Sequence, residues 1–149
     1  MPADPYNLAR FLAAQDQCYP SVLSELRSGR KRTHWMWFVF PQLAGLGRSS
    51  TARYYAISGP DEAAAYLAHD ILGPRLRICC ETLLAIDSGG ADDIFGTVDA
   101  LKLRSSVTLF DAIAVEQTFH RVLDRYFSGE PDPATLALLE QAGGRSRDD

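Results

Sequence analysis

The sequence predicts a mainly α protein: a single compact, orthogonally packed helical domain of about six to eight helices, with one short buried extended or irregular segment at WMWFVF. Five stretches carry apolar residues at helical spacing, and only that one apolar run lacks the period. At 149 residues with 46% hydrophobic content the chain has the size of one domain, able to bury roughly two-thirds of the surface its unfolded form exposes. No internal repeat or low-complexity linker divides it. The domain is therefore expected over residues 1–142, followed by a flexible polar tail, GGRSRDD, over 143–149.

Two helices come first. Leu8, Phe11 and Leu12 follow Asn7, a good N-cap residue, and Val22, Leu23 and Leu26 precede Gly29, a good stop. Asp61 after Gly59-Pro60 opens a helix with Tyr66 and Leu67 on one face, and Gly73-Pro74 interrupts or restarts the chain beyond it. The clearest stripe is Leu72, Leu76, Cys79, Leu83 and Ile86, which marks the central helix. Ser88-Gly89-Gly90 ends it, and a short DDIF turn leads to Gly96 and a new cap at Thr97. Leu103, Val107, Phe110 and Ala114 then share one face, and Phe119, Val122, Leu123, Tyr126 and Phe127 another, ending at Gly129. A last helix starts near Pro133. In WMWFVF, Pro41 pushes Phe40 out of the α region. An extended run there would put Trp35 and Trp37 on one side and Met36, Phe38 and Phe40 on the other.

Composition narrows the function classes. Fifteen Lys+Arg against nineteen Asp+Glu give a net charge of -4, which argues against coating a nucleic-acid polymer through the overall field while leaving room for a local basic patch. The N-terminal stretch has neither a basic region followed by an apolar core nor any later run of roughly 18 apolar residues. A cytoplasmic protein without a membrane span is expected. Cys18, Cys79 and Cys80 are an odd count without C-x-x-C spacing, so they read as reduced structural thiols, and neither a metal nor another cofactor is expected.

Three stretches could carry chemistry. Arg32 and its basic neighbours run into His34, Trp35 and Trp37, where indoles can stack on a ring and guanidinium groups can hold an anion; Gln42 lies just beyond. Tryptophans in an apolar run also serve simply as core. His34, between the charged and apolar runs, is the candidate general acid/base. Glycines 45 and 47 followed by Ser49 and Ser50 make a turn and a helix cap, short of any phosphate-loop pattern. Lys102, Ser105 and Ser106 share a helix face, a candidate anion clamp, although mid-helix serines commonly bond back to a preceding carbonyl. Arg75, in LGPRL, is a further candidate ligand-binding residue.

The run RxGRKRxHWMWFxFPQxxGLG, Arg27 to Gly47, resembles the signature of the bacterial domain of unknown function 1810 family. The resemblance continues through YAIS at Tyr55, EAxAYLxHxxLGPRL at Glu62, IFG at Ile94, DxLKLxSSxTLF at Asp99 and LDxYFxGExD at Leu123, with Val107 and Cys80 as departures. It implies a single mainly helical domain and little about function. Such proteins are sometimes labelled calpastatin; that inhibitor class is disordered and repetitive, unlike this apolar, aromatic chain. Two functions are therefore carried forward. The first is a small-molecule site, binding or enzymatic, where His34, Lys102 and Ser105 converge on an anionic or nucleotide-like ligand; the second is a protein-protein interaction module. A monomer or weak homodimer suits both.

Overall fold

Helix α7 (Ala91–Ile113) is the spine of the molecule, and the elements around it decide where a site can form. The structure, a computed structural model, describes residues 3–148, with side chains described through residue 142. In chain order the others are α1 (Ala9–Asp16), α2 (Tyr19–Arg27), α3 (Met36–Val39), α4 (Ser50–Tyr54), α5 (Pro60–Ala68), α6 (Leu72–Leu84), α8 (Thr118–Phe127) and α9 (Pro133–Asp148). Seven of these nine have eight residues or more, and among the described residues there is no strand. The expected mainly α domain is what the chain forms. The tail expected at 143–149 lies outside the residues whose side chains are described.

Helices α5, α8 and α9 pack on α7, while α6 packs on α8, α5 and α2. The central stripe behaves as its spacing dictates: Leu72, Leu76, Cys79 and Leu83 are buried, as are Leu103, Val107 and Phe110 on α7. A file of rings runs through the core, with centroids 5.1 Å apart for Phe11–Tyr66, 5.4 Å for Tyr66–Phe110 and 5.8 Å for Phe110–Phe119. Each such contact adds about 0.5–1.5 kcal/mol to the burial of the rings. Gly73 lets α6 approach α5, because a Cβ there would lie 2.2 Å from the Leu67 carbonyl oxygen.

Local details differ from the sequence expectations for identifiable reasons. Asn7 does not cap α1; it takes φ 52, and Asp4 reaches past it to accept from the Leu8 and Ala9 N–H groups at 2.8 and 3.0 Å. His69 Nδ1 serves α6 in the same way, accepting from Ile71 and Leu72 N–H at 3.1 and 3.2 Å. The DDIF stretch is helical rather than a turn, and the break comes at Gly96, whose φ of 78 kinks α7. Ser49 caps α4 as expected, its Oγ accepting from Ala52 N–H at 3.1 Å.

The main correction concerns WMWFVF. It is a one-turn helix, Met36–Val39, flanked by non-helical Trp35 and Phe40, with φ -121 and ψ 72 at Phe40 just before Pro41. Burial follows a helical rather than an alternating pattern: Trp35, Met36, Val39 and Phe40 are inside, and Trp37 and Phe38 are half-buried. The two tryptophans therefore face different ways. Beyond α3, one parallel bridge joins Leu43 to Ile57, with Ile57 N–H donating to Gln42 O and Ala44 N–H to Ile57 O, both at 2.8 Å. It brings α4 back beside α1 and α3.

Candidate functional site

Helices α1, α3 and α4 enclose an open groove of about 430 Å³, lined by Arg10, Gln17, Cys18, Thr33, His34, Trp35, Phe38, Tyr54 and Tyr55 together with Ala13 and Ala14. Its walls come from three distant stretches. Each wall is fixed by a buried or half-buried polar side chain that the sequence reading did not single out.

Gln15 on α1 is buried, and its Nε2 donates to Phe38 O at 2.6 Å and to Tyr66 Oη at 3.0 Å, tying α3 to α1. Arg10 secures the tyrosine wall. Its guanidinium donates to the carbonyls of Tyr6, Asn7, Tyr54 and Ala56 at 2.6 to 2.9 Å and pairs with Glu62 at 2.8 Å, with both side chains nearly covered. The charge of Arg10 is thus spent inside the protein. Glu62, in the first turn of α5, is this ion-pair partner and also accepts from Ser58 N–H and Oγ.

Glu25 sets the third wall. Its carboxylate accepts from Arg32 N–H at 2.6 Å, Thr33 N–H at 3.0 Å, Thr33 Oγ1 at 2.6 Å and Trp35 Nε1 at 3.1 Å, folding the 31–35 stretch around one acceptor. Burial works to raise its pKa, but these four bonds outweigh it and hold the carboxyl at about 2. Trp35 is accordingly core, presenting only an edge to the groove, while His34 next to it is exposed. Phe38, Tyr55 and Tyr54 form a cluster of rings, with centroids 5.3 Å and planes 55° apart for Phe38–Tyr55 and 4.8 Å and 81° for Tyr54–Tyr55, so each ring turns a different way and no single flat surface forms. The Tyr54 side of it is open: that residue is 57% exposed.

Cys18 shares the groove with His34, which raises the question of a thiol nucleophile. Burial and the Glu25 charge push the thiol pKa up, and Sγ donates to Ala14 O at 3.5 Å, so the group is a neutral thiol rather than an activated thiolate. Burial likewise pushes Cys79 up to about 12 and Cys80 well above its ordinary value. All three cysteines are free, and among the described residues no group of three or more His, Cys, Asp or Glu side chains is placed to hold a metal ion.

Of the residues expected at one site, His34 and Trp35 line the groove, and Arg32, next to Thr33 in the chain, is exposed and without a carboxylate partner among the described residues. The others lie elsewhere. Lys102 Nζ pairs with Asp99 at 3.3 Å and sits over the Trp37 ring at 4.9 Å; Lys31 pairs with the other Asp99 oxygen at 2.8 Å and lies over Trp35 at 5.2 Å. This cluster pins α7 to the tryptophan segment. Ser105 Oγ shares its one proton between Leu101 O at 3.1 Å and Asp132 Oδ2 at 3.0 Å in the seam with α9, and Ser106 is wholly buried with no hydrogen-bond partner among the described residues. Arg75 pairs with Asp16 at 2.9 Å and stacks over Tyr19 at 4.7 Å, and Gln42 contributes its backbone carbonyl to the bridge with Ile57. The geometry does not bring His34, Lys102 and Ser105 together around one cleft.

One sequence signal marks the groove in hindsight. Residues 17–60 carry six Lys/Arg and a single Asp/Glu, which is Glu25, whereas residues 61–149 carry eight Lys/Arg against sixteen Asp/Glu. The basic stretch supplies two of the three walls.

Comparisons with known proteins bear on identity. Residues 5–139 match the family described as protein of unknown function (DUF1810). A conserved hypothetical protein of Mycobacterium tuberculosis, Rv1873, known from a crystal structure at 1.38 Å, is 51% identical, with 92% of this chain and 99% of that one covered and a TM-score of 0.91. No curated protein matches the chain.

Proposed function

Starting from a chain that belongs to the DUF1810 family of proteins of unknown function, we propose that the groove between α1, α3 and α4 binds a small anionic ligand carrying a planar ring, nucleotide-like in character. One observation supports this above the rest. The groove combines an exposed aromatic ring, Tyr54, beside the half-buried rings of Phe38 and Tyr55, with the accessible imidazole of His34 in a stretch of the chain where positive charge is in excess. Ring faces stack on a planar ligand, and guanidinium groups such as that of Arg32 hold its anionic part. His34 and Gln17 supply hydrogen bonds. If the site is enzymatic, His34 is the group positioned for general acid/base work. The reading includes a cytoplasmic setting; no helix among the described residues is long and apolar enough to cross a membrane.

A thermal-shift screen of nucleotides, sugar phosphates and small carboxylates tests the proposal. A true ligand at a hundredfold excess over its Kd stabilises the protein by about 2.7 kcal/mol, and His34→Ala and Tyr54→Ala should abolish the shift. Lys102→Ala should keep it; loss in that variant would extend the site across Trp37. No shift with any of these anions defeats the reading.

A second reading, an interaction module, draws on Val98 and Leu101, which stand 68% and 59% exposed at adjacent positions on one face of α7. Val98→Asp would then break an association seen by light scattering, while leaving the groove untouched.

A further inference from the structure

We infer that the ligand of this groove is single-stranded nucleic acid, with one base on the exposed Tyr54 ring and neighbouring phosphates on Arg32 and Arg53; the inference rests on the groove being a ring-and-anion site as proposed above. The net charge of -4 speaks against such a partner only if charge is spread evenly. It is not, because residues 17–60 hold six cations and one acid. That acid, Glu25, is consumed by four hydrogen bonds.

With the exception of Arg121, which is exposed and without a side-chain partner among the described residues, the arginines divide in the same way. Arg10, Arg75, Arg77 and Arg104 all have carboxylate partners, and Arg125 donates to the Ile86 and Gly89 carbonyls. Arg30, Arg32, Arg48 and Arg53 are exposed, and among the described residues their side chains have no hydrogen-bond or ion-pair partner. Arg32 immediately precedes the Thr33–His34 wall, and Arg53 immediately precedes the Tyr54–Tyr55 wall. The two arginines thus adjoin different walls of the groove in the chain, so a strand lying between those walls can offer a phosphate to each. A lone mononucleotide, with its phosphate on one side of its base, uses one of them.

Exposure points the same way. Tyr54 leaves more than half of its surface open, which suits a ring on which an unstacked base rests as the strand passes, rather than a wall closed around a small molecule. A duplex keeps its bases stacked away from such a ring, so the strand must be single. Base stacking is tolerant of sequence, and phosphate contacts carry no sequence information, so weak sequence preference is expected.

The test is fluorescence anisotropy with labelled single-stranded DNA and RNA of about 12 nucleotides, the matching duplex, and unlabelled mononucleotides as competitors. The single strand should bind at least about tenfold more tightly than the mononucleotide, with log K falling against log salt at a slope near -1.4 for two phosphate contacts. Arg32→Ala with Arg53→Ala should flatten that slope, and Tyr54→Ala should weaken binding with the slope kept. Both arginines are exposed and unpaired, so circular dichroism should show these variants folded. Binding of the single strand no tighter than the mononucleotide, or equal binding of the duplex, overturns the inference while leaving the small-ligand site standing. No binding of either strand or mononucleotide overturns both.

Discussion

Glu25→Gln isolates the charge that shapes one wall of the groove. Oε1 of Glu25 takes three of the four hydrogen bonds, and Oε2 takes the fourth from Thr33 Oγ1. A glutamine keeps its carbonyl oxygen at the first position and donates to Thr33 Oγ1 from the second, so the geometry survives and the ionic contribution goes. The folded carboxyl is held at about 2 against an ordinary 4.5. At about 1.4 kcal/mol per unit this corresponds to about 3 kcal/mol, which solvent screening of a partly exposed carboxylate reduces to about 1–2 kcal/mol. Because the folded pKa is depressed, the stabilisation is complete above the unfolded value of 4.5 and disappears as pH falls toward 2. Urea denaturation of both proteins from neutral pH down to the acid limit measures it. The native protein should be more stable near neutrality by that amount, and the gap should close below about pH 4.5. Equal stability at neutral pH, or a gap unchanged by acid, would refute the account of Glu25 as an ionised organiser of the 31–35 stretch.

Other substitutions probe the remaining supports. Arg10→Ala strands the Glu62 carboxylate in a covered site and should cost about 3–5 kcal/mol in chemical denaturation, with Arg10→Met/Glu62→Met together recovering part of the loss. Trp35→Ala, at a fully buried and hydrogen-bonded ring, should cost about 3–5 kcal/mol, and Phe38→Ala, half-buried at the groove, distinctly less; an equal loss would contradict the helical turn at α3. Ser106→Ala removes a buried hydroxyl with no partner and should raise Tm or leave it unchanged, whereas Ser105→Ala should lower it by removing a bond to Asp132.

Period and punctuation were enough to locate most helices. The Leu72–Leu83 and Leu103–Phe110 stripes bury the residues their spacing selects, because a side chain's face on a helix follows from backbone geometry alone. Gly29, Gly96 and Gly129 all take positive φ where the sequence suggested breaks, since only a residue without Cβ accepts that conformation cheaply. WMWFVF was ambiguous for the opposite reason: a wholly apolar run has no period, and only its neighbours Phe95 and α1 decide which residues turn inward.

The groove was half legible. His34 and Trp35 stood out by residue type, and the excess of arginine over acid between Gln17 and Pro60 was available to be read. Tyr54, Tyr55 and Cys18 join His34 only because Arg10 draws the end of α4 onto α1, across 44 residues of chain, and Gln15 draws Phe38 in across 23. Lys102 and Ser105 carried the right chemistry for an anion clamp, but Lys102 pairs with Asp99 one turn earlier on its own helix, a partner its spacing already offered, and Ser105 bonds Asp132 27 residues on, a partner only packing supplies. A side chain's type and helix face are local properties, set by the sequence around it; whether its charge or hydroxyl remains free depends also on which distant partner the packing brings within about 3 Å.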